Sequence, residues 1–222
     1  MLKDIVQTAL LLITGLFPII NPPASALIVL SMMPNATTAD RAELAWRITT
    51  NSFAILLGSL LIGAYVLAFF GISIPVLRVA GGLIIGMAGW NLLQAPDEDE
   101  TQDETQELKD HRSPASLASK AFYPLTMPLT VGPGSIAVAI ALGTGSPREG
   151  LSAGHFVGVG VALLVLCASI YLCVRFAGDL ERLLGTVGTK ITMRLFAFVI
   201  FCIGVQLFWN GLSELLESLH GK

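Results

Sequence analysis

Six apolar stretches run through this chain, at about 8–31, 48–70, 74–94, 118–143, 152–175 and 191–215. A hydrocarbon core ~30 Å thick is crossed by ~20 helical residues at 1.5 Å rise each, so every stretch is long enough to span a bilayer. Fixed charge falls almost entirely between them, apart from Arg78, Arg194 and Glu214 near span ends. Composition agrees. Hydrophobic residues make up 54% and charged residues 13% of the 222, with a mean hydropathy of +0.74. Soluble domains carry about 25% charged residues, so this chain cannot clothe a water-soluble globule, and global disorder is excluded on the same ground. A net charge of -3 and a pI near 5.6 argue against nucleic acid as a partner. The expected partners are the lipid bilayer and a small solute.

Between the third and fourth stretches lies the one long polar segment. Eight of the sixteen acids (Asp97, Glu98, Asp99, Glu100, Asp103, Glu104, Glu107 and Asp110) fall there, and it reads as a solvated linker over 95–117. With six spans both termini share a side. Lys3, Arg78, Arg148 and Lys222 would lie on that side, four cations in all. Nine (Arg41, Arg47, Lys109, Arg112, Lys120, Arg175, Arg182, Lys190 and Arg194) would lie on the other. The excess of positive charge puts the acidic linker in the cytoplasm and both termini outside. Ala24-Ser25-Ala26 resembles a signal-peptide cleavage site, but the apolar run continues through Leu27–Met33 and Lys3 sits beside Asp4, so this first stretch is expected to remain as a span.

The most informative pattern is an internal repeat. Phe17-Pro18-Ile19-Ile20-Asn21-Pro22-Pro23-Ala24-Ser25 aligns without gaps on Met127-Pro128-Leu129-Thr130-Val131-Gly132-Pro133-Gly134-Ser135, at an offset of 110. Both clusters fall near the middle of their span. The chain therefore divides into a first triplet of spans (1–94), the linker, and a second triplet (118–222). An odd number of spans per half makes the halves enter the membrane from opposite sides, which is an inverted repeat. Proline lacks an N–H and clashes with the carbonyl four residues back, at a cost of ~3 kcal/mol in a helix interior. Pro22, Pro23, Pro128 and Pro133 thus free carbonyls at mid-span, and Gly132 and Gly134 loosen the backbone. In hydrocarbon such freed groups survive only against protein or in a polar cavity, so the two interruptions are expected to face each other inside the bundle. Asn21, Ser25, Thr126, Thr130 and Ser135 supply neutral polar groups beside them.

Other residues read more plainly. Gly82, Gly86 and Gly89, and Gly154 with Gly158, have the small-residue spacing of closely packed helices. Asn51, Asn91, Gln206 and Asn210 read as hydrogen bonders between helices, and Arg78 and Arg194 as snorkelling cations. Cys167, Cys173 and Cys202 lie in apolar runs without pairing or metal-ligand spacing, and the three histidines lack ligand companions. Neither a nucleophile–base set nor a phosphate-binding glycine loop is evident, so no enzyme, metal or cofactor is expected.

Three segments carry a family likeness. Phe70-Gly71-Ile72-Ser73-Ile74-Pro75, Leu77-Arg78-Val79-Ala80-Gly81-Gly82-Leu83-Ile84 and Pro124-Leu125-Thr126-Met127-Pro128-Leu129-Thr130-Val131-Gly132-Pro133-Gly134-Ser135-Ile136 closely resemble the MarC family of bacterial inner-membrane proteins. Asn21-Pro22 and Gly204-Val205-Gln206 fit it too, while Pro23 stands where a more permissive residue such as glycine is expected. The resemblance implies six helices, a plasma-membrane location and transport of small neutral amino acids.

The expectation is therefore an all-α integral membrane protein. Six transmembrane helices form two inverted three-helix repeats, with helices 1 and 4 broken. It is read as a secondary transporter of a small polar solute. Its expected binding residues are Asn21, Pro22, Pro23 and Ser25 from one half, and Thr126, Pro128, Thr130, Gly132, Pro133, Gly134 and Ser135 from the other. The rivals are an exporter of the same architecture and a non-transporting membrane scaffold or regulator.

Overall fold

The structure is a computed structural model and describes residues 1–33, 36–94, 118–144 and 153–220. The acidic linker 95–117 lies outside the described residues. The described chain is 93% helical and contains no strand. In order the helices are α1 (Leu2–Ile20), α2 (Pro22–Met32), α3 (Thr38–Phe69), α4 (Ile74–Gln94), α5 (Ala121–Thr130), α6 (Pro133–Thr144), α7 (Ala153–Arg175) and α8 (Ala177–His220). Five helical segments are long and apolar enough to cross a membrane: Leu2–Leu30, Thr38–Phe69, Ile74–Gln94, Ala153–Arg175 and Val187–Ser218. A sixth is reached when Ala118–Thr130 and Pro133–Gly143, bent by 62° at a short break, count as one span.

Several spans begin earlier than their apolar runs suggest. α3 starts at Thr38 rather than near 48 because a reciprocal cap fixes its first turn. The Thr37 hydroxyl accepts from the Asp40 N–H at 3.2 Å and the Asp40 carboxylate accepts from the Thr37 N–H at 2.9 Å. Nearly three turns are thereby added ahead of the apolar stretch. α8 likewise starts at Ala177, and Gly185 interrupts it with φ 68, a left-handed conformation natural to glycine. The amphipathic turns before Gly185 are thus set off from the span that follows.

The core is built where α1, α2, α3 and α7 meet. Leu12, Leu16 and Ile20 of α1 lie one turn apart and are fully buried, with Leu44, Ile48 and Leu56 of α3 and Leu163, Leu166 and Ile170 of α7. α1 and α2 both pack on α7, α3 packs on α7, α5 and α6, and α6 packs on α4. Gly154 and Gly158 let α7 approach α1: a Cβ at Gly158 would lie 2.8 Å from the Thr8 side chain. Thr8 Oγ1 and His155 Nδ1 are 3.4 Å apart across the same contact, both residues being buried. Large apolar side chains such as Leu61, Ile62, Tyr65 and Leu164 point outward, as suits a surface in contact with acyl chains.

The most extensive helix pair is α4 with α8. Here backbones touch. A Cβ at Gly82 would run into the Phe208 nitrogen, one at Gly89 would lie 2.5 Å from the Phe201 nitrogen, and one at Gly204 would run into the Gly86 nitrogen. The expected close packing at Gly82, Gly86 and Gly89 is present, and α8 supplies the matching surface. At the end of this seam Arg78 does more than snorkel: its guanidinium Nη1 donates to Glu214 Oε2 at 2.5 Å, tying α4 to α8. An ion pair reduces the cost of both charges near the hydrocarbon.

Substitution at this seam is predicted to be strongly position-dependent. Gly82→Ala should destabilise by about 1–3 kcal/mol, because backbone rather than a mobile side chain blocks the added methyl. Gly86→Ala should be neutral, because its Cβ would meet nothing within 4 Å. Thermal unfolding of the detergent-solubilised variants measures both.

Candidate functional site

The sequence-predicted residues gather around two interruptions that are built differently. In the first, α1 stops and α2 starts at Asn21, whose φ 45 and ψ 65 place it in the left-handed region. Asparagine tolerates that conformation better than other non-glycine residues because its short side chain bonds locally. Its Oδ1 accepts from the Ala24 N–H at 3.4 Å, capping α2, and Pro22 and Pro23 occupy the first turn of α2, where a missing N–H costs nothing. Ser25 Oγ donates to the Ile20 carbonyl at 2.9 Å, and the Asn21 N–H still reaches the Phe17 carbonyl at 2.9 Å. Few backbone groups are left bare.

The second interruption is wider. α5 is wound as a π-type helix, and Tyr123 and Met127, each preceding a proline, take extended backbone angles inside it. Hydroxyls repair the ladder: Thr126 Oγ1 donates to the Ala121 carbonyl at 2.6 Å and Thr130 Oγ1 to the Leu125 carbonyl at 2.8 Å. The Val131 N–H reaches back to the Thr126 carbonyl at 2.9 Å. Gly132 is required by crowding, since a Cβ there would lie 2.7 Å from the Pro128 carbonyl oxygen. α6 then opens at Pro133, and Gly134 packs against Ile85 of α4.

The helices that flank the first interruption pack on those that flank the second, α1 on α6 and α2 on α5. Asn21, Pro22, Ser25, Thr126, Thr130, Gly134 and Ser135 are buried, whereas Pro23 and Gly132 are half-buried. Pro128 and Pro133 are exposed, so the structure does not bury them with the other predicted site residues.

The helix α3 adds Asn51, read from the sequence as a hydrogen bonder between helices, and two hydroxyls that sequence reasoning passed over. Asn51 on α3 donates through Nδ2 to Thr126 Oγ1 at 3.4 Å, a bond between helices. Ser52, fully buried, and Thr49 stand on the same stretch of α3, and neither hydroxyl has a hydrogen-bond partner in the protein. The signal was the run Thr49-Thr50-Asn51-Ser52, which looked like the edge of a span but lies three turns inside α3. Asn21 Nδ2 is also buried without a partner, in a residue only 4% exposed. An unpaired buried donor costs about 1–3 kcal/mol, so three such groups near mid-span are an expensive feature for packing alone. The residues present offer neutral donors and acceptors and, among the described residues, no cluster of three or more His, Cys, Asp or Glu that could hold a metal.

The MarC family model, described as "MarC family integral membrane protein", matches residues 6–216 and so takes in every one of these residues. The chain belongs to the MarC family. Proteins named "UPF0056 inner membrane protein MarC" from Salmonella typhimurium and Escherichia coli are each 33% identical over 211 residues, and one from Citrobacter koseri is 34% identical over 212. In each case the match covers 92% of this chain and 94% of the relative. No solved structure matches the chain significantly. Those relatives are named as inner-membrane proteins, and this MarC family chain has helices long and apolar enough to cross a membrane.

The first interruption can be tested for what it requires. Asn21→Ala should destabilise by about 1–2 kcal/mol through loss of the cap and the left-handed penalty. Asn21→Gly should cost only a few tenths, since glycine accepts the same backbone. Thermal denaturation in detergent distinguishes them.

Proposed function

We propose that this MarC family protein is a secondary transporter of a small polar solute, with a neutral amino acid as the solute class, bound where the two interruptions meet. One observation carries the reading: the Asn21 side-chain Nδ2 is buried and unpartnered at a helix break whose flanking helices pack on those of a second break. Each break presents one helix C-terminus and one helix N-terminus. The first turn of α2 has no N–H to spare, its two prolines and the Asn21 cap seeing to that, so the N-terminus of α6 is the end that favours a carboxylate, and the carbonyl ends of α1 and α5 favour an ammonium group. Asn21, Ser25, Thr126, Thr130, Gly132, Gly134 and Ser135, with Asn51 and Ser52, then orient a zwitterion without any fixed charge of their own.

Six spans in two inverted triplets underlie this proposal. Helix packing supports them. Pairing α1–α2 with α5–α6, α3 with α7 and α4 with α8 as equivalents, the contact of α2 with α8 corresponds to that of α6 with α4. The contacts of α1 and α2 with α7 likewise correspond to those of α5 and α6 with α3. Charge counting orients the whole with both termini periplasmic and the linker 95–117 cytoplasmic. Reporter fusions at residue 105 should accordingly read as cytoplasmic, and a periplasmic signal there would reverse the topology.

A scaffold or regulator is the competing reading, and tight burial with hydroxyls bonded locally favours it. An occluded carrier looks the same, and flux separates the two. Purified protein in proteoliposomes, given a panel of labelled neutral amino acids with and without Na⁺ or proton gradients, should show uptake and counterflow for at least one. Asn21→Gly, which keeps the turn, should lower that flux about tenfold, the worth of ~1.4 kcal/mol. No flux for any solute in well-reconstituted protein favours the scaffold.

A further inference from the structure

Of the five unbent spans among the described residues, the one in α8 is the most weakly covered. Only 11% of its apolar window is buried, against 44% for α7. Ala197, Phe201, Gly204 and Phe208 face α4, as the glycine contacts fix. On the opposite side run Leu195, Val199, Cys202, Gln206, Trp209 and Ser213, spaced alternately by four and three residues. At 100° per residue all six point within about 40° of the direction opposite Gly204. Apart from half-buried Ser213 they are exposed.

The polar member of this stripe is out of place in lipid. Gln206 lies four residues from the middle of Val187–Ser218, which puts it ~6 Å from mid-span, well inside a hydrocarbon half-thickness of ~15 Å. Its Nε2 donates to Asn210 Oδ1 at 2.8 Å. An amide offers two donors and an acceptor, so the Gln206 carbonyl and the Asn210 NH₂ are left for a partner that acyl chains cannot supply.

We propose that α8 forms a parallel seam with α8 of a second copy of this chain, joined at Gln206. Two copies in one membrane share an orientation, so a two-fold axis along the membrane normal sets each residue against its own counterpart at equal depth. An amide is self-complementary in that setting: each Gln206 carbonyl accepts from the partner's amide, giving two reciprocal bonds. The alternating spacing of four and three is the seam of a left-handed pair of helices, in which one polar core residue fixes register and copy number. A different membrane protein would need an amide at this same depth by coincidence, which is why the second copy is the occupant assigned.

The axis also brings Cys202 against the partner's Cys202, which supplies the test. Full-length protein carrying Cys167→Ser and Cys173→Ser keeps Cys202 as its one thiol. It is oxidised in native membranes with copper phenanthroline. The expected product is a reductant-sensitive species of twice the 23.5 kDa chain mass. Leu164→Cys on the exposed face of α7, in a cysteine-free background, should give roughly a tenth of that yield or less, as for a random encounter of separately diffusing copies. Gln206→Leu should lower the Cys202 yield about threefold, the worth of a typical hydrogen bond between membrane helices, while Gln206→Asn should retain most of it. Cross-linking at Cys202 no better than at position 164, adducts of another mass, or an undiminished yield in Gln206→Leu would each overturn the proposal.

Discussion

In hydrocarbon every backbone N–H and C=O must find a partner within the protein, and each feature of this chain is arranged around that demand. Uninterrupted helices meet it automatically. The proline clusters do not, and the structure shows what satisfies them. Ser25, Thr126 and Thr130 turn their hydroxyls onto carbonyls five residues back, which an ordinary helical ladder would leave to backbone N–H groups. Asn21 takes the one left-handed conformation available to a non-glycine residue at modest cost and closes the gap with its own side chain. The polar residues beside the breaks are therefore structural before they are anything else. What remains after that repair, the amide of Asn21 and the hydroxyls of Thr49 and Ser52, is the surplus on which function can draw.

A second demand is attraction between helices without help from water. Lipid tails are as apolar as leucine, so association in the membrane rests on close contact and on polar pairs. The α4–α8 seam uses both, with glycine against backbone along its length and Arg78 with Glu214 at its end. Leucine and valine fill the core around α1, α3 and α7, where α7 needs glycines only at Gly154 and Gly158, its end nearest the start of α1. Two modes of packing thus divide the molecule.

Much of this was legible in the letters. Helical class, the span count to within one, the glycine seam and the family follow from run length, spacing and motif, because each depends on local sequence. Span limits were less so. The Thr37–Asp40 cap and the Gly185 break lie in polar sequence that a hydropathy reading skips, and both move the start of a helix by several residues. That error had a consequence at the candidate site: with α3 begun late, Thr49–Ser52 looked like a span end and its hydroxyls went unnoticed. Surface placement was not legible at all. Pro128 and Pro133 repeat the pattern of the first cluster, yet both are exposed where Pro22 is buried and Pro23 half-buried.

The inequality of the two breaks bears on how such a site could work. Leu2–Leu30 passes Asn21 as one nearly continuous span, pinned by a cap, by Ser25 and by the core residues Leu16 and Ile20. The other pair bends by 62°, has two extended residues inside α5 and depends on side-chain hydroxyls for its ladder. Rearranging the first break would expose well-packed core and abandon a satisfied cap. Rearranging the second exchanges one hydroxyl–carbonyl bond for another, at a net cost near that of a single hydrogen bond, about 0.5–1.5 kcal/mol. If a solute enters between the breaks, the α1–α2 side is the fixed wall. The α5–α6 side, whose ladder rests on the Thr126 and Thr130 hydroxyls and which the 3.4 Å bond from Asn51 to Thr126 holds to α3, then has less to lose by moving.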